Sequence, residues 1–279
     1  MKYDDRYIVE LSRAAIFDDT PFDPEESLDW EYIYNKSIEQ NITGLLFTAV
    51  SKLSDEYKPN KDLYAKWQQK MLETIAVTSR QYNEFLKLSK VVSDAGIKMV
   101  GLKGCIIRNL YPVPELRTMG DFDVLIKKYD IKHITCIFSD NGYDISKAVY
   151  GIEAKNELSF WEIFYVLEEE FVRNPVDNSK DIYENTFHKD YVNYPVQTLF
   201  LSHMIIHTGK HYVERGAGIR NLMDIALYIS KYKDKIDFKK VERICKEQNY
   251  SNIYNYVLNA INVWFKVKLD FITYPQKDT

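Results

Sequence analysis

Cysteine is scarce: the 279 residues hold three, Cys105, Cys136 and Cys245. Their odd number and wide spacing argue against a disulfide framework or a zinc knuckle, and a reducing cytoplasm is the expected compartment. Long apolar runs are missing too. None approaches the roughly 20 residues that cross a bilayer, so no membrane partner is expected. The opening MKYDDRYIVE lacks the apolar core of a signal peptide. Nor is positive charge in excess: 37 Lys and Arg against 41 Asp and Glu give a net charge of −4. That balance argues against a general nucleic-acid coat, though not against a local basic groove. Core material is plentiful, at 46% hydrophobic and 14% aromatic residues, which argues against global disorder.

Apolar residues recur every three or four positions over 7–17, 30–53 and 62–95, the pattern of amphipathic helices. Pro21 and Pro24 mark the acidic connection between the first two, and Gly96 is a plausible stop for the third. This part reads as packing rather than chemistry.

The period becomes strand-like over 97–102, and Lys103-Gly104 then turns the chain into a helix over 105–110, closed by Pro112-Val113-Pro114. A glycine at such a turn lets backbone approach a ligand, and the helix start offers N–H donors to phosphate. An ordinary tight turn is the bland alternative. The strand predicted over 121–126 begins with the only Asp-x-Asp of the chain. Alternation puts Asp121 and Asp123 on one side, about 7 Å apart at the backbone, where they repel unless a cation lies between them. Hard oxygen ligands of this kind suit Mg²⁺. A helix over 132–141, an Asn141-Gly142 turn and an aromatic-rich strand over 158–167 follow.

In order, Leu102-Lys103-Gly104, Tyr111-Pro112-Val113-Pro114, Arg117 and Asp121-Phe122-Asp123 resemble the nucleotidyltransferase superfamily that includes DNA polymerase beta. The likeness is greatest to its uncharacterised bacterial branch. The resemblance implies an α+β fold with a small mixed-sheet core. It also implies an EC 2.7.7-type enzyme that moves a nucleoside monophosphate from an NTP, such as ATP, to an acceptor hydroxyl and releases pyrophosphate. In such transfer, positioning and cation stabilisation dominate, with two ions about 3.5–4 Å apart. Asp121 and Asp123 would hold Mg²⁺ or Mn²⁺, and a third carboxylate on a neighbouring strand completes the set. Glu162 and Glu157 are the candidates. Glu162 is preferred because a lone carboxylate inside an apolar strand needs a partner, although Phe164 stands where the branch often has His.

The resemblance assigns Lys103, Gly104, Cys105 and Arg117 to the nucleotide. Cys105 departs from the usual Gly or Ser and is a weaker donor, so phosphate binding would lean on backbone N–H groups and Lys103. Arg117 could grip the triphosphate or orient Asp121.

Pro195 opens a strongly helical segment in which His203, His207 and His211 share one face. Met204 stands where a zincin needs Glu, which argues against a metalloprotease. A three-His zinc site would want a fourth ligand, with Asp224 the nearest. Gly209, Gly216 and Gly218 are expected to break the helix, and Arg220 and Asp224, one turn apart, to form an ion pair. The same branch carries a similar block, here Gly218-Ile219-Arg220 and Asp224. It implies that His207, His211, Arg220 and Asp224 touch nucleotide or acceptor; a buried polar network between lobes is the alternative. Ser202 and His203 read as packing, and 238–268 as two more helices.

The expected organisation is a helical region over 1–96, a nucleotidyltransferase core over 97–193 and a helical lobe over 194–279, with the active cleft between lobes. Partners are an NTP and an acceptor that no stretch identifies; nucleic acid is not expected. The rivals are a nucleotide- or partner-binding module with little turnover, and a toxin- or antitoxin-type transferase acting on protein or tRNA.

Overall fold

The computed structural model describes residues 2–167, 179–214, 216 and 218–269. Four helices come first: α1 (Tyr3–Phe17), α2 (Trp30–Glu39), α3 (Thr43–Val50) and α4 (Lys61–Asp94). Side-chain caps start two of them. Asp29 accepts from the Tyr32 amide and Asn60 from the Leu63 amide, satisfying donors that a helix start leaves open. The single helix expected over 30–53 is in fact two. Asn41 breaks it at φ 54°, a left-handed conformation that Asn tolerates better than most residues.

The mixed part follows: β1 (Val100–Gly101), α5 (Gly104–Ile107), β2 (Phe122–Leu125), α6 (Ile131–Asp140), β3 (Asp144–Ala148), β4 (Gly151–Lys155), β5 (Phe160–Phe164), α7 (Ser179–Glu184), β6 (Thr186–Lys189) and β7 (Val192–Pro195). The strands form one seven-stranded sheet in the order β3-β4-β5-β2-β1-β7-β6. It is mixed: β2 runs parallel to β5, and β1 is parallel to β7 but antiparallel to β2. With helices flanking it, the sheet gives the α+β class expected from the sequence. Two hairpins, β3–β4 and β6–β7, went unpredicted, and β1 is shorter than the strand expected over 97–102. The charged run 168–170 and the polar stretch 173–185 read from the sequence as surface; residues 168–178 lie outside the described residues, and 179–184 form α7.

One face of the sheet is apolar. Phe122 and Trp161 sit opposite each other on β2 and β5, and both pack against Phe85 of α4, with ring centroids 4.9 and 5.2 Å away. Because side chains alternate along a strand, burying these aromatics turns Asp123 and its cross-strand neighbour Glu162 to the opposite face.

Four helices complete the chain: α8 (Gln197–Glu214), α9 (Ile219–Tyr232), α10 (Phe238–Glu247) and α11 (Ser251–Phe265). N-terminal α1 packs on α9 and α11. Gly209 does not break α8, contrary to expectation. It lies inside the helix, where a Cβ would come within 2.6 Å of the Tyr250 ring, so it marks a close helix contact. Gly216 does take a positive φ of 83°, and Gly218 caps α9. Among the described residues, no helix is long and apolar enough to cross a membrane.

Candidate active site

Three carboxylates converge at the sheet. The ligand atoms of Asp121, Asp123 and Glu162 all lie within 4.8 Å of one another. Asp121 immediately precedes β2, Asp123 lies within it, and the in-register pairing with β5 supplies Glu162. Glu157, the other candidate, is exposed and outside this group. Asp123 is 2% exposed, and its Oδ1 accepts from the Lys103 ammonium at 2.6 Å.

Crowded acids resist ionisation. Burial first, and then Asp123, push the Glu162 carboxyl up to about 7. Burial and Asp123 also raise Asp121. Burial works against the Lys103 ammonium, yet Asp123 and Asp121 outweigh it and its pKa rises. Hard oxygens, mutual repulsion and partial exposure make these three residues a fitting ligand set for Mg²⁺ or Mn²⁺.

A divalent ion would have to displace the proton that Glu162 keeps below about pH 7. A carboxyl raised above its unfolded value costs the ion-free fold stability as pH climbs from the ordinary carboxylate range through about 7. A bound ion offsets that cost. Thermal unfolding should therefore show a larger Mn²⁺-induced rise in Tm at pH 8 than at pH 6. Glu162→Gln should flatten the difference; an equal rise at both pH values in the unmutated protein would remove Glu162 from the ligand set.

The carboxylates open into a cavity of about 370 Å³. Lys103, Gly104 and Arg117 line it on the core side, and His207, His211, Arg220 and Asp224 on the α8–α9 side. Residues distant in sequence thus surround one space. Thr208 and Asn221 also line it and were not singled out from the sequence. Helical periodicity could have found them, since Thr208 and Asn221 each lie three residues before a singled-out residue, His211 and Asp224.

Lys103 starts the turn into α5 at φ 42° and ψ −119°, a region favoured by glycine; strain of this kind clusters at functional sites. The turn closes with the Cys105 amide donating to the Leu102 carbonyl at 3.2 Å. Cys105 itself does not reach the cavity, which corrects its assignment to the nucleotide. Its side chain is buried, its thiol meets the Asp123 carbonyl at 3.5 Å, and burial raises its pKa. Its amide is already engaged within the turn.

Asp224 belongs to Arg117, not to Arg220 as the spacing suggested. Arg117 donates through Nη2 and Nε to its two oxygens at 2.6 and 3.3 Å, and the Tyr111 hydroxyl donates to it at 2.7 Å. Arg220 instead donates to the Thr118 carbonyl and hydroxyl at 3.2 and 2.9 Å. Gly104 makes this possible: a Cβ there would collide with the Arg117 guanidinium. Tyr111, quoted in the Tyr-Pro-Val-Pro motif without a role, turns out to fix Asp224.

His207 and His211 meet through their Nε2 atoms at 2.8 Å. Burial and the nearby Lys103 hold His207 well below the usual imidazole range, so it is neutral at pH 7. His203 lies outside the cavity, with its Nε2 buried and unpartnered. Burial and Lys103 take it down to about 4. Only two of the three imidazoles thus face the cavity, and no His-based cluster of three or more ligands occurs among the described residues.

A family model described as an uncharacterised nucleotidyltransferase matches residues 26–266. The chain belongs to that family. Membership makes it a nucleotidyltransferase, the class expected from its motifs. No curated protein matches the sequence. Among solved structures, the solution structure of the antibiotic-resistance factor ANT(2'')-Ia is similar at 10% identity, with a TM-score of 0.46 over 65% of this chain and 99% of that one. A crystal structure of ANT(2'')-Ia with adenylyl-2''-tobramycin gives 10% identity and 0.45 over 61% and 97%. An antigenic nucleotidyltransferase-like protein from Paracoccidioides brasiliensis gives 12% and 0.45 over 69% and 95%.

Proposed function

We propose that this nucleotidyltransferase moves a nucleoside monophosphate from an NTP, with ATP the reference case, to an acceptor hydroxyl, releasing pyrophosphate with Mg²⁺ or Mn²⁺ bound. One observation carries the proposal: Asp121, Asp123 and Glu162 converge within 4.8 Å on the floor of a cavity that Lys103, Arg117 and Arg220 also line. These three acids would hold the ion, which supplies Lewis acidity to the phosphoryl oxygens when bound.

The chain's own groups do the positioning. Lys103 is the cation nearest the carboxylates and would turn its ammonium to the phosphates. Arg117, locked by Asp224, presents a fixed positive charge that needs no reorganisation during transfer. Neutral His207, in contact with His211 through their Nε2 atoms, offers a hydrogen-bonding wall toward nucleotide or acceptor. The buried position of these groups limits water and strengthens each interaction. A binding module with little turnover is not favoured, since Cys105 faces away from the cavity and Glu162 stands beside the aspartates.

A thermal-shift screen of the four NTPs with Mg²⁺ or Mn²⁺ tests the reading, followed by pyrophosphate release from whichever NTP binds. A ligand at 100 times its Kd stabilises by about 2.7 kcal/mol, a shift easily read. Absence of any ion-dependent shift across all four would overturn the proposal.

A further inference from the structure

Two partners compete for Lys103. Its ammonium is 2.6 Å from Asp123 Oδ1, on the carboxylate oxygens that an ion would need, while phosphate transfer calls for the same ammonium. Among the described residues, it is the only cation in a salt bridge with the acid cluster. Arg117 is engaged by Asp224, and Arg220 by Thr118. The stem of Lys103 leaves from a fixed point, because the backbone is held at φ 42° and pinned by the turn hydrogen bond. Its side chain must therefore swing between the two partners while the loop stays put.

We infer that Lys103 is an exchangeable counter-ion. It occupies Asp123 until a triphosphate draws it away, and this exchange couples nucleotide binding to ion binding. The inference rests on the reading above, that the carboxylates hold the ion and the phosphates lie beside Lys103. An ion arriving alone must displace a buried ammonium from a carboxylate, and a polyphosphate arriving alone must break the same pair. Each ligand removes a cost that the other would face, so the coupling is reciprocal. Lys103 is in this sense a positioning residue as well as a phosphate contact.

The test separates exchange from plain charge repulsion by a double-mutant cycle. Calorimetry measures inorganic tripolyphosphate, with EDTA present and no divalent ion, against the unmutated protein, Asp123→Asn, Lys103→Met and the double variant. Met keeps the length of the stem. Circular dichroism checks that each variant is folded. Freeing Lys103 by Asp123→Asn should tighten tripolyphosphate by about fivefold or more. With Lys103→Met in the background, the same substitution should change affinity by less than about twofold. An equal gain in both backgrounds would show repulsion alone and overturn the exchange while leaving the phosphate site in place. Failure of tripolyphosphate to bind any of the four would remove the phosphate assignment and the inference together.

Discussion

Asp123→Asn should lower pyrophosphate release by about a thousandfold or more, in line with losing a charge aimed at the reacting phosphoryl group. The substitution keeps the shape of a side chain that is 2% exposed, so packing against β1 and β5 is retained. It removes the charge that an ion and Lys103 both need. The ion-dependent thermal shift with NTP should vanish with the activity, while circular dichroism stays unchanged. Turnover that survives the substitution would take the paired aspartates out of the chemistry, and the function proposed here with them.

The second large effect is on stability. Asp224→Ala strips the partner from a guanidinium that is itself buried, since Arg117 is 8% exposed and makes both of its carboxylate bonds to Asp224. An uncompensated buried charge costs about 3–5 kcal/mol. Tyr111 would lose its acceptor as well. Urea denaturation should show a fall of that order in unfolding free energy, with Arg220→Ala, whose bonds run to a carbonyl and a hydroxyl, costing clearly less. Equal losses in the two variants would mean that Asp224 is not the partner that matters.

The helices were legible because their signal is local. Spacings of three and four over 62–95 fix α4 to within a residue at each end. The acid pair was legible for a similar reason, as strand alternation needs only neighbours. Glu162 could be preferred because a carboxylate between Trp161 and Ile163 stands out in an apolar strand. The β3–β4 and β6–β7 hairpins were missed because β3 and β6 lie largely at the surface. Such strands lack the clean apolar alternation that reports a buried face. The ion pair was misread for a different reason. Arg220 and Asp224 are one helical turn apart, whereas Arg117 and Asp224 are 107 residues apart, and no periodicity reports a contact of that separation. Cys105 was judged by its motif position, but the first turn of α5 points its thiol back under β2.

The missing side chain at Gly104 has a wider reach than its size suggests. A single methyl there would press on the Arg117 guanidinium, and with its displacement would go the grip on Asp224 and the contact with the Thr118 carbonyl. Positions 104 and 117 are therefore not independent letters. Whatever residue occupies one dictates which residues the other can host, and a lesion at 104 would surface on α9, far along the chain from where it was made.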